Sequence, residues 1–166
     1  ELVAADGVPT FKSVSVYEDT VVVGAQQYDY DSSTYSGSAY VFIRDENEDW
    51  VQQAKLMSIN GTPDDNFGNS VYISGDKLVI GASGDDDNGD ESGAAYVFSR
   101  DMEGKWSQKE KLLAEDGDSG DYFGNSVSID ADTIIAGACR DDENGYWSGS
   151  AYIFVRNSGE TWTQQA

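Results

Sequence analysis

Ser36-Gly37-Ser38-Ala39-Tyr40-Val41-Phe42 returns as Ser92-Gly93-Ala94-Ala95-Tyr96-Val97-Phe98 and again as Ser148-Gly149-Ser150-Ala151-Tyr152-Ile153-Phe154, each copy 56 residues after the last. The same interval separates Phe11, Phe67 and Phe123, and also Trp50, Trp106 and Trp162. Gly-Ala pairs at 24–25, 81–82 and 137–138 keep the step, apart from one residue missing from the first repeat near Lys12. Several unrelated markers that coincide at one period identify a repeat architecture.

Each unit reads as four short strands. The first is a period-2 run, Val14 to Tyr17, Val71 to Ser74 and Val127 to Asp130. A tight turn follows at Glu18-Asp19, Gly75-Asp76 and Ala131-Asp132, which is hairpin chemistry. The second strand is nearly all apolar (Val21-Val22-Val23, Leu78-Val79-Ile80, Ile134-Ile135-Ala136), the pattern of a strand covered on both faces. An acidic loop leads to the Tyr-Val-Phe strand, and a polar turn leads from it to the Trp strand. Helical periodicity is sustained nowhere. Four strands in a unit of about 56 residues, marked by Gly and aromatics, predict an all-β fold of about three antiparallel β-propeller blades. Independent β-meanders or a β-solenoid are the other arrangements such a repeat allows.

The expected boundaries are 11–66, 67–122 and 123–166, preceded by a tail at 1–10. Glu1 to Gly7 resemble Lys111 to Gly117, the stretch that follows a Trp strand. The N-terminal segment is therefore expected to complete the blade that the C-terminus begins. Because the chain starts at Glu1 rather than Met, it reads as processed or as a piece of something longer.

Composition narrows the function. The 166 residues hold 31 acids and 10 bases, a formal charge of −21. That excess disfavours nucleic acid and anionic membrane surfaces, both of which recruit basic patches. It favours cations and basic partners. No apolar run reaches membrane-spanning length, so membrane insertion is not expected. With no His, the His-based triads and His-ligated zinc sites are excluded. The single cysteine, Cys139, can form no internal disulfide.

Phe67-Gly68 followed by Gly81-Ala82, and Phe123-Gly124 followed by Gly137-Ala138, resemble FG-GAP repeats, the units of the integrin-α propeller and of many secreted or cell-surface proteins. The resemblance spans the chain. The first repeat departs from it with Phe11-Lys12, and Gln26, Ser83 and Cys139 stand where the family has Pro. The resemblance implies a seven-bladed ring, an extracellular or cell-surface location, calcium in loops, and adhesion or ligand binding. The family's calcium loop lies between Phe-Gly and Gly-Ala. Here that connection is a tight turn with one or two carboxylates, so the family site does not transfer.

The acids gather instead after Gly-Ala. Counted back from the Ser-Gly that follows, each loop holds a carboxylate pair: Asp29/Asp31, Asp85/Asp87 and Asp141/Glu143, with Asn88 and Asn144 beside the later two. Calcium takes six to eight hard oxygens, so these are the candidate metal ligands. A solvated Asp/Asn turn is the plain alternative. Arg140 stands next to the third loop as a competing cation. A second acidic group, Asp64/Asp65 and Asp116/Asp118/Asp121, reads first as a turn.

The aromatics that break the repeat, Tyr28, Tyr30 and Tyr35 in the first loop and Tyr146 and Trp147 in the third, are the candidate ligand contacts. Asn60-Gly61-Thr62 is a glycosylation sequon. Together these features predict a non-catalytic adhesion, scaffold or filament module with a protein or glycan partner. Further copies of the chain, completing a ring or array, are the other expected partner. A lectin-like glycan-binding propeller is the alternative. A hydrolase using two carboxylates is more remote, because acid pairs that recur in every repeat suit a structural duty.

Overall fold

The computed structural model describes residues 2–5, 10–26 and 36–166. The described residues form twelve strands: β1 (Ser13–Tyr17), β2 (Thr20–Ala25), β3 (Ser38–Arg44), β4 (Trp50–Leu56), β5 (Phe67–Ser74), β6 (Lys77–Ala82), β7 (Ala94–Arg100), β8 (Trp106–Leu112), β9 (Phe123–Asp130), β10 (Thr133–Ala138), β11 (Ser150–Arg156) and β12 (Trp162–Gln164). They make three antiparallel four-stranded sheets, each in chain order: β1-β2-β3-β4, β5-β6-β7-β8 and β9-β10-β11-β12. The two-residue turns hold, with left-handed φ at Glu18, Gly75 and Ala131 closing the first hairpin of each sheet. The register repeats too: Ser13 faces Gly24, Ser70 faces Gly81, and Ser126 faces Gly137.

Consecutive sheets stack face to face as propeller blades. Their first strands lie side by side, β1 against β5 and β5 against β9. Two apolar layers fill the space between sheets. One joins Val22, Ala39 and Val41 to Val71, Ile73, Leu78 and Trp106. The other joins Val79, Ala95 and Val97 to Phe123, Ile129, Ile134 and Trp162. Phe67 and Phe123 are fully buried, each edge-on to the Tyr and Phe of its own third strand. A buried Phe side chain contributes roughly 2–3 kcal/mol.

The Phe-Gly and Gly-Ala marks meet across these interfaces. Phe67 N–H donates to Ser36 O at 2.7 Å, and Phe123 N–H to Ser92 O at 2.8 Å. Gly37 bridges Phe67 in parallel, as Gly93 bridges Phe123. The backbones come so close that a Cβ on Gly24 would lie 2.0 Å from Gly68 O, and one on Gly81 would lie 1.9 Å from Gly124 O. Ser13 and Ser70 hydroxyls donate to the same two carbonyls, at 2.9 and 2.8 Å. Gly68 and Gly124 have φ of 90° and 79°, which an L side chain rarely takes.

The outer faces differ from the inner ones. β2 and β6 are buried on both faces as expected, but in β10 Thr133 and Ile135 are exposed, because no sheet follows the third among the described residues. Trp106 and Trp162 are buried, whereas Trp50 is half-exposed on the first sheet. The N-terminal residues behave as the stretch after a Trp strand does. Ala4 packs with Val23, Ala25, Tyr40 and Phe42, and Ala5 N–H donates to Gln52 at 2.8 Å, as Glu115 N–H donates to Gln164 at 3.0 Å. Such a stretch packs on the sheet that follows it, so Leu2–Ala5 lie on the first sheet. Strand β12, in the blade this segment was expected to complete, is hydrogen-bonded to β11.

The seam yields a paired prediction. Gly81→Ala drives a methyl into a backbone carbonyl and is expected to cost about 3 kcal/mol, at the upper end for overpacking. Gly137→Ala meets only the movable Ser126 hydroxyl, 2.6 Å away, and is expected to cost under about 1 kcal/mol. Denaturant melts of the two variants check this; equal losses would refute the seam as the source of the constraint.

Candidate functional site

The acidic loop of the second repeat joins β6 to β7. Asp85 is buried at its base. One carboxylate oxygen accepts the Tyr96 hydroxyl at 2.8 Å. The other accepts the Lys111 ammonium at 2.7 Å and the Asp87 N–H at 3.2 Å. The same ammonium donates to Asp87 Oδ2 at 2.5 Å and lies 5.5 Å from the centre of the Tyr96 ring. Asn88 donates from its side chain to Ala114 O at 2.8 Å, tying the loop to the stretch that enters the next blade. Burial, and then the neighbouring Asp85 carboxylate, push the Tyr96 phenol far above its ordinary value, so it remains a hydrogen-bond donor.

The third repeat reproduces the scaffold. Asp141 is buried, accepts the Tyr152 hydroxyl at 2.7 Å, and accepts the Glu143 N–H at 3.1 Å. Its backbone oxygen accepts Gly149 N–H at 2.9 Å, as Asp85 O accepts Gly93 N–H at 2.8 Å. Glu143 and Asn144 are exposed. Arg140 does not turn to these carboxylates. Its guanidinium lies over the Tyr122 ring at 4.5 Å and over the Trp147 ring at 5.1 Å. Tyr146 stacks on Trp147 with centroids 4.5 Å apart, and both rings are exposed, Tyr146 at 80%. In the first repeat Asp29, Asp31, Tyr28, Tyr30 and Tyr35 lie outside the described residues. Lys55 sits 5.4 Å from the Tyr40 ring centre, matching the Lys111–Tyr96 geometry.

The second acidic group forms turns. Asp65 accepts the N–H and hydroxyl of Thr62, at 2.7 and 2.5 Å. Asp121 accepts the Asp118 N–H at 2.7 Å. Burial raises both carboxyls above the usual 3.8, outweighing the hydrogen bonds that pull them down. Asn60 is exposed at the start of the same turn, available to a modifying group.

Sequence reasoning placed the paired acids and missed what holds them. The tyrosines at 40, 96 and 152 and the lysines at 55 and 111 each keep the 56-residue interval, so the signal was present.

The repeating sheets, the Phe-Gly seam and the loop geometry now stand beside the comparison with known families. The FG-GAP repeat matches residues 1–42, 50–98 and 106–154. The chain belongs to the FG-GAP repeat family. No curated protein matches it. Calcium, which this family implies, does not fit the second FG-GAP loop. Both Asp85 oxygens are engaged, and the Lys111 ammonium bridges the pair that a cation would need. Among the described residues of the three FG-GAP repeats, no group of three or more Asp, Glu, Cys or His is placed to hold a metal.

Two predictions follow from this chemistry. Lys111→Met leaves the Asp85 charge buried without its cation, and the expected loss is about 3 kcal/mol. Lys111→Met combined with Asp85→Asn should recover part of it, read as a coupling in a double-mutant cycle; additive losses would count against the bridge. For Asp121 the sign follows from its raised value. The folded state holds the proton more tightly, so this contribution is present below pH 3.8 and is lost as pH rises through the folded value. Asp121→Asn, whose amide oxygen still accepts the Asp118 N–H, should therefore show a flatter decline of melting temperature as pH rises from about 4. An unchanged slope would contradict the assignment.

Proposed function

We propose that this FG-GAP chain is a non-catalytic module acting outside the cell or on its surface, in adhesion or in building a scaffold or filament, through contact with protein. The observation that carries the reading is the fate of the repeated carboxylates. Asp85 and Asp141 are buried and closed off by the tyrosine of their own sheet, and in the second repeat by Lys111 as well. Acids spent this way hold loops in shape. A two-carboxylate hydrolase would need a pair open to substrate. Lys111 supplies in the second loop the positive charge that calcium would bring.

The contact surface is the tip of the third loop, where Tyr146 and Trp147 stand out beside Asp142 and Glu143, all exposed. Large rigid aromatics rimmed by charge suit a protein contact. The membership of the family and the exposed Asn60 sequon support an extracellular or surface setting, and glycosylation at Asn60 belongs to the same reading. No helix among the described residues is long and apolar enough to cross a membrane.

The stacked Tyr146–Trp147 pair also favours a second reading, a glycan-binding propeller in which a sugar lies on the free face of the stack. The test is adhesion of cells to surfaces coated with the chain. Tyr146→Ala combined with Trp147→Ala should reduce adhesion at least fivefold with an unchanged melt, and adding EDTA should not. Adhesion unaffected by the double change would rule out this surface. Binding on a glycan array that disappears with the same change would move the conclusion to the second reading.

A further inference from the structure

The outer face of the third sheet repeats, position by position, the two faces that are covered within the chain. Val79, Ala95 and Val97 on the second sheet are buried beneath the third; their counterparts on the third sheet are Ile135, Ala151 and Ile153. Ile135 is 46% exposed, where Val79 is 0%.

The polar groups of the seam are open on this face as well. Ser70 Oγ and Asn69 Nδ2 donate to Gly124 O at 2.8 and 3.2 Å, while their counterparts Ser126 and Asn125 are exposed and make no side-chain hydrogen bond among the described residues. Ser148 O stands where Ser36 O and Ser92 O each accept the N–H of the next Phe. Gly137 and Gly149 have no backbone atom closer than 3.4 Å to an ideal Cβ, against 1.9 Å and 2.1 Å at Gly81 and Gly93.

We propose that this face is a docking site for the first strand of a further repeat that carries Phe-Gly, and that the first strand of a second copy of this chain is excluded from it. The occupant would donate its Phe N–H to Ser148 O, and its glycine carbonyl would accept from Ser126 and Asn125. Its own glycine is required for a separate reason. A Cβ on Gly68 would lie 2.3 Å from Ser38 O, and one on Gly124 would lie 2.1 Å from Ala94 O, on the third strand of the sheet being covered. The matching atom here is Ser150 O. A second copy would bring Phe11-Lys12, whose lysine carries the Cβ that collides. The first repeat also lacks the extra residue that forms the bulge between Phe67 and Ser70. The apolar front of the first sheet, with Val14 at 72% and Val16 at 65% exposed, therefore does not close onto the back of the third. The proposal does not depend on the adhesive reading.

Cys139 gives a direct readout. It is exposed, while Ser83 at the same place on the covered second sheet is buried. The test extends the chain by repeating residues 111–166 after Ala166, with the added cysteine changed to serine, so that a Phe-Gly strand follows in phase. Alkylation of Cys139 is expected to slow at least tenfold relative to the parent chain. The same extended chain with Gly124→Lys in the added copy alone should label at nearly the parent rate. Equal rates in all three chains would overturn the docking site, and equal protection in both extended chains would overturn the requirement for glycine. Light scattering on the parent chain adds a separate arm. It should remain monomeric with Cys139 reactive at about 100 µM, a concentration at which even micromolar affinity would show. Association that protects Cys139 would overturn the exclusion of a second copy.

Discussion

Everything in this fold depends on two backbones coming closer than side chains permit. The glycine of each Phe-Gly presents its carbonyl to the glycine of the preceding Gly-Ala, with under 2.1 Å left for a Cβ. That approach brings the Phe N–H onto a serine carbonyl and a serine hydroxyl onto the glycine carbonyl, so the polar groups at the seam are paired rather than buried bare. It also brings the sheets near enough for two continuous apolar layers to form. Change the spacing and both the hydrogen bonds and the layers are lost together. A repeat protein holds by such neighbour interfaces, since no single repeat can cover its own faces.

The acidic loops solve a second problem set by the first. The chain from second to third strand must cross the top of each blade, and here those crossings carry 10 of the 31 acids. A carboxylate at the base of the loop gathers the loop N–H groups and is itself fixed by a tyrosine on the third strand and a lysine on the fourth. Because the loop, third strand and fourth strand belong to one sheet, the brace is internal to a repeat. The seam is the contact between repeats. Cross-strand position therefore decides which residues shape a blade and which join blades.

Much of this was legible in the sequence. The 56-residue period located every strand and both partners of the seam, since Phe, Gly and Trp are spaced alike in each copy. What the period could not show was which faces are covered: Ile135 and Val79 read alike, yet differ because a sheet follows one and not the other. The acid pairs were also visible, and their oxygens invited a metal. In the second loop the pair is bridged by Lys111, which lies 24 residues beyond Asp87, across two strands. Pairing at that range depends on sheet register, which a loop read alone does not contain. Arg140 illustrates the same point in reverse. Its neighbour in sequence is Asp141, but its contacts are the rings of Tyr122 and Trp147.

The departures from the repeat are where this chain becomes individual. Lys12 replaces the seam glycine in the first repeat, and its ammonium reaches Gln26, which in turn donates to Asn66, the residue before β5. A residue that cannot enter a seam is thus used to tie the edge of the first sheet to its neighbour. Trp147 takes the same left-handed φ as Glu91 at the matching place in the second repeat, so the turn is kept while its side chain becomes an exposed ring stacked on Tyr146. Both changes fall on surfaces that the repeats do not need for stacking one another. The inner seams tolerate no such variation, because a single Cβ there would meet a carbonyl of the neighbouring blade. Variation is therefore confined by geometry to the loop tips and the outermost faces.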